Sequence, residues 1–202
     1  MSRSPFLEKI SSSAPHGIGV ACANNSNCMY VGIYGYNSLP DNEGKKFYHE
    51  LWIYNFSLNI WQQEVTEGLP PIGFGTNLKL WNSQLYIYGG NKEFCSTLFI
   101  PRLWICDLNQ SKGNFTWKTV EPDKLTHNCN PVAGLGQGLA SYKGYLYVFG
   151  GLSFKLAFKD LHRIKLPDDG FPKWEKIDFE KNEYSPNKCY RMQLAVDVQR
   201  EW

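Results

Sequence analysis

Alanine is scarce in this chain: seven among 202 residues, beside 18 Gly and 11 Pro. That shortage speaks against a helical bundle and for short strands between tight turns. Neither charge sign is in excess either. Lys and Arg number 21 and Asp and Glu 19, leaving +2, too balanced a surface for nucleic acid or an anionic membrane to be the main partner. No apolar run reaches the roughly eighteen residues of a membrane-crossing helix. Arginine is rare, with five at positions 3, 102, 163, 191 and 200. The opening Met1-Ser2-Arg3-Ser4-Pro5-Phe6 lacks the apolar stretch of a secretory leader, so the expected compartment is cytoplasmic or nuclear.

What is abundant is apolar and aromatic: 43% hydrophobic and 15% aromatic residues, enough for a globular core. The six cysteines, at 22, 28, 95, 106, 129 and 189, follow no disulfide framework. They read as reduced, mostly buried thiols. Asn-x-Ser/Thr triplets at Asn24, Asn55, Asn109 and Asn114 would matter only in a secreted chain.

A repeat runs along the sequence. Val31-Gly32-Ile33-Tyr34-Gly35-Tyr36, Leu85-Tyr86-Ile87-Tyr88-Gly89-Gly90 and Leu146-Tyr147-Val148-Phe149-Gly150-Gly151 align. After a variable loop each is followed by a second strand, at 50–54, 102–106 and 160–164, and then by Trp61, Trp117 and Trp174. The tryptophans are 56 and 57 residues apart, a single unit repeated with loops absorbing the differences. A first strand precedes each glycine strand, at 17–23, 76–80 and 136–141, so each unit reads as four antiparallel strands. The aromatics and glycines of the unit are read as packing residues.

This spacing resembles the kelch motif, whose period is near 50 residues and whose units are blades of a β-propeller. The expected fold is all-β, an incomplete kelch-type propeller in one domain. Its expected parts are an outer strand of a preceding blade at 6–10, blades at 17–65, 75–120 and 136–178, and the first strand of a next blade at 191–198. Gly35-Tyr36 departs from the double glycine, and His162 stands where the other units have Trp52 and Trp104. Three blades and two orphan strands cannot close a ring, since propellers need about four to eight blades. The chain therefore reads as a slice of a longer propeller.

The loops narrow the resemblance. Gly35-Tyr36-Asn37 with Leu39-Pro40-Asp41-Asn42-Glu43, and the stretches at 136–140, 146–151, 159–163 and 190–191, are similar to kelch members that act as substrate receptors of cullin-2 RING ubiquitin ligases. The resemblance implies a protein-interaction module that holds client proteins or peptides by their free C-termini. It also implies elongin B/C and cullin-2 as partners, through a region absent from this chain. An actin-associated or scaffold kelch protein without ligase function is the alternative.

A terminal carboxylate calls for a permanently charged planar fork with hydroxyl or amide donors around it. Arg191, just before a first strand, is the leading candidate. Arg102 and Lys155 follow, with Tyr36, Asn37 and Ser153 as rim contacts. No enzyme is expected. His16, His49, His127 and His162 are too scattered for a ligand pair at short spacing, so no metal site is assigned, and no cofactor is implied. Phosphate-loop and dinucleotide fingerprints are absent.

Overall fold

The computed structural model describes residues 16–24, 27–38, 45–64, 66–67, 75–90, 102–109, 115–120, 131–132, 134–153, 156–166, 173–179 and 185–196. The expected strand at 6–10 lies outside them. Three antiparallel sheets follow one another. The first is β1 (His16–Asn24), β2 (Cys28–Ser38), β3 (Lys45–Asn55) and β4 (Ile60–Glu64), in that order. A short β5 (Thr66–Glu67) leads to the second, formed by β6 (Asn77–Trp81), β7 (Gln84–Tyr88), β8 (Leu103–Asp107) and β9 (Phe115–Val120). The third begins with β10 (Gly138–Tyr142) and β11 (Tyr145–Phe149). A hairpin of β12 (Leu152–Ser153) and β13 (Leu156–Ala157) interrupts it before β14 (Leu161–Lys165) and β15 (Trp174–Ile177) complete it. No helix occurs among the described residues.

Tight reversals make the inner hairpins. Asn82 and Ser83 take φ of 45° and 58°, and Lys143 and Gly144 take 44° and 78°. Positive φ at both central residues matches the turn whose twist suits two paired strands.

The sheets stack face to face because the glycine strand is apolar on both sides. In β7, Leu85 and Ile87 point one way and Tyr86 and Tyr88 the other, and all four are buried. Leu85 and Ile87 meet Tyr30 and Leu51 of the first sheet, together with Leu78, Trp104 and Trp117. Tyr86, Tyr88 and Leu103 meet Leu139, Leu146, Val148, Ile164 and Trp174 of the third. Each such side chain contributes roughly 1.5–3 kcal/mol by leaving water. The inner strands β1, β6 and β10 lie side by side. This is the architecture of an incomplete β-propeller.

Three expectations are corrected. The variable loop before the strand at 50–54 is shorter than the sequence predicts: β2 runs to Ser38 and β3 starts at Lys45, with Tyr36 opposite Phe47 and Asn37 opposite Lys46. Aromatic residues at 34, 36, 47 and 48 favour the extended pairing. Each unit reads as four antiparallel strands in the sequence, yet the second gains a fifth: Thr66 and Glu67 pair in parallel with Phe115 and Thr116, using the otherwise open outer edge of β9. No strand forms over 191–196 of the expected 191–198. That segment instead docks on β10 through side chains, with Leu194 and Met192 filling the space over Gly138.

His162 lies opposite Val148, and Trp104 opposite Ile87, so the histidine takes the place that tryptophan fills in the other sheets. It is 5% exposed, and its pKa is lowered to about 4, mainly by burial; Asp160 raises it and Lys176 lowers it. The unfolded chain therefore takes up the His162 proton first as the pH falls. Stability contributed by the neutral ring is complete above pH 6.5 and is lost between there and about pH 4. Urea titrations should show the wild type losing more stability than His162→Phe from pH 7 to pH 4. Parallel losses would show that the ring is not buried neutral.

Candidate peptide-binding face

At one end of the sheets the backbones of successive repeats touch. The N–H of Gly136 donates to the carbonyl of Gly75 at 2.7 Å, and that of Met192 to the carbonyl of Gly136 at 3.5 Å. Gly90 donates to Gly134 at 3.0 Å, and Gly151 to Cys189 at 2.9 Å. In both of these pairs the second glycine of a sheet bonds to the carbonyl two residues before the left-handed residue of the next repeat. The contact leaves no room for a side chain. A Cβ at Gly150 would stand 2.6 Å from the Cys189 carbonyl, and one at Gly136 would run into the backbone nitrogen of Arg191. Tyr88 fastens the same end by donating its hydroxyl to the Pro131 carbonyl at 2.7 Å, and burial pushes its pKa far above the ordinary range.

Arg191 belongs to this register. Gly75, Gly136 and Arg191 have φ of 71°, 67° and 56°, three left-handed residues in equivalent places. Leu78, Leu139 and Leu194 each stand three residues on, which fixes the alignment. A non-glycine residue there costs roughly 1 kcal/mol, so its presence requires an explanation. The side chain is exposed, and its guanidinium lies 5.8 Å from the centre of the Tyr190 ring. Arg163, by contrast, is occupied. It donates to Glu175 at 2.6 Å and covers the Tyr145 ring at 4.6 Å.

Buried amides hold the register. Gln137, 2% exposed, donates to the carbonyls of Val132 at 3.0 Å and Gly150 at 3.4 Å, and accepts from the N–H of Gly134 at 3.3 Å. Asn77 donates to the carbonyls of Gln137 and Met192, the latter at 3.1 Å, and accepts from the Gln193 amide at 2.8 Å. Thr76, beside it, buries a hydroxyl with no hydrogen-bond partner among the described residues. Sequence reasoning read Asn77, Gln137 and Gln193 only as parts of first strands and did not single them out as site residues. Aligning them on the three leucines was the available signal.

The other candidates are spread out. Arg102 is exposed just before β8, and its carbonyl receives the N–H of Gly89 at 3.4 Å, which places it at the same end but one sheet away. Ser153 is 3% exposed inside the β12–β13 hairpin, so it is corrected from a rim contact to a packed residue. Its hairpin is tied down by a bridge from Leu152 to Leu135. Tyr36 and Asn37 are strand residues of β2, as above, and Lys155 lies outside the described residues. Among the described residues no group of three or more His, Cys, Asp or Glu could hold a metal ion. Cys106 and Cys189 are free thiols, and burial with nearby Asp107 pushes Cys106 up to about 12, far from reactivity. No described helix is long and apolar enough to cross a membrane.

Replacing Arg191 tests its backbone geometry. Arg191→Gly should raise stability by about 1 kcal/mol relative to Arg191→Ala, since only glycine is free of the left-handed cost. Thermal melts of both variants check this, and equal midpoints would place the residue in an ordinary conformation.

No family model matches the chain. It is 29% identical over 208 residues to kelch domain-containing protein 10 of Xenopus tropicalis, covering 98% of this chain and 47% of the relative. It is 28% identical over 197 residues to the Homo sapiens protein of that name, covering 92% of this chain and 41% of the relative. Kelch domain-containing protein 1 of Mus musculus is 30% identical over 113 residues, 52% of this chain and 27% of the relative. The chain thus spans less than half the length of these relatives. Among solved structures, that of YjhT, a β-propeller, superposes with a TM-score of 0.60 at 15% identity, covering 85% of this chain and 53% of that one. Repeat, sheet order and relatives agree: the chain is built as part of a β-propeller, and its repeats are similar to those of the kelch domain-containing proteins.

Proposed function

We propose that this module captures client proteins by their free C-terminal carboxylate, with Arg191 as the charged fork. One observation carries the reading. An exposed arginine with no carboxylate partner among the described residues is held in a left-handed backbone that the preceding repeats give to glycine. Selection for stability alone favours glycine there, so the arginine is explained by what its guanidinium does. A carboxylate would accept two parallel N–H bonds from it, while Tyr190, 44% exposed, offers an aromatic wall for the penultimate residue. The chemistry is binding without catalysis.

Within a longer protein this module would act as a substrate receptor. Elongin B/C and cullin-2 would be recruited through a helical segment outside these 202 residues, in the cytoplasm or nucleus. The likeness to the kelch domain-containing relatives supports an interaction role, and the ligase assignment extends it. Pull-down of elongins and cullin-2 by the protein of the complete transcript tests that extension.

Peptide binding tests the core of the proposal. A library of peptides with free C-termini should yield binders whose amidated forms bind roughly 10- to 100-fold more weakly, the equivalent of a charged hydrogen-bond pair. Arg191→Ala should reduce the acid form to the level of the amide. Equal binding of acid and amide peptides would refute the assignment.

A further inference from the structure

We propose that Asn77 is the positioning residue for Arg191, acting from the second sheet across the third; the inference rests on the carboxylate-capture reading. Asn77 is 7% exposed at the start of β6, and its side-chain amide both donates and accepts. Both N–H groups are engaged, by the carbonyls of Gln137 and of Met192, the latter at 3.1 Å, and its oxygen accepts from Gln193 at 2.8 Å. Met192 and Gln193 are the two residues after Arg191. The peptide plane between Met192 and Gln193, one residue beyond the left-handed Arg191, is thus held by a side chain 115 positions away in sequence.

The placement has a consequence for Arg191. The segment 191–196 forms no strand, so no ladder fixes its direction. Its described backbone bond to the third repeat is the 3.5 Å contact from Met192 to Gly136, just before β10 and at the long end of hydrogen bonding. The Asn77 bonds are shorter and reach both the backbone and a side chain of the segment. The equivalent position in the third sheet is Gly138, which has no side chain to offer and is covered by Leu194 and Met192. Asn77 therefore does for the arginine segment what strand pairing does elsewhere. It holds one backbone orientation, and so one direction for the guanidinium.

The test is a double-mutant cycle on peptide affinity. Asn77→Ala should weaken binding of a free-acid peptide about five- to tenfold and reduce its advantage over the amidated peptide. Combined with Arg191→Ala, it should add almost nothing to the loss from Arg191→Ala alone. Gln193→Ala, at an exposed residue, should give a smaller loss of the same non-additive kind, and it carries the test if Asn77→Ala does not fold. A merely structural role predicts a lower melting temperature with acid and amide peptides affected equally. That result, or losses that add to those of Arg191→Ala, overturns the inference alone. An Arg191→Ala protein that still prefers the free acid overturns the carboxylate reading, and this inference with it.

Discussion

The structure depends on how closely backbone can approach backbone where one repeat meets the next. Side chains fill the broad faces between sheets, but at the glycine end the contact is peptide to peptide. Gly90 bonds to Gly134 and Gly151 to Cys189 at about the length of a strand ladder bond. A single methyl group at Gly150 would force the layers apart at that point. The double glycine is therefore a joint between repeats, and the tryptophans are its counterpart at the outer edge.

From that joint the candidate binding face follows. Each joint presents a left-handed residue at the same end of the stack, and the variable connections emerge beside it. A fixed end with variable loops is how a rigid scaffold displays recognition groups. Replacing the left-handed glycine by arginine converts a purely architectural position into one that displays charge. The buried amides of Asn77 and Gln137 keep the surrounding carbonyls satisfied while this happens, so the polar end costs little desolvation.

Much of this was legible in the sequence, and the reasons are physical. Trp61, Trp117 and Trp174, and the glycines at 35, 89 and 150, repeat because each sheet solves the same packing problem. Strand order and the stacking of unit on unit follow from that period. Arg191 was legible as a charged residue at a repeat boundary, though not as a left-handed one. Its conformation comes from Gly136 and Cys189, which set the local path of the chain. Asn77 was hidden, since its partners lie 60 and 115 residues away and polar residues at strand starts carry no periodic signal. Ser153 misled because Gly151-Leu152-Ser153 looks like open loop, while the structure pairs it with Leu156 in a short hairpin that buries the serine alone. The parallel pairing of Thr66 and Glu67 depends on an outer edge that only the assembled second sheet creates.

Amide hydrogen exchange, read residue by residue by NMR, tests the joint most directly. If repeats are tied backbone to backbone, the N–H groups of Gly90 and Gly151 exchange as slowly as those of β7 and β11, although both lie beyond the ends of their strands. Exchange at the rate of an unprotected surface glycine at both positions would contradict the account.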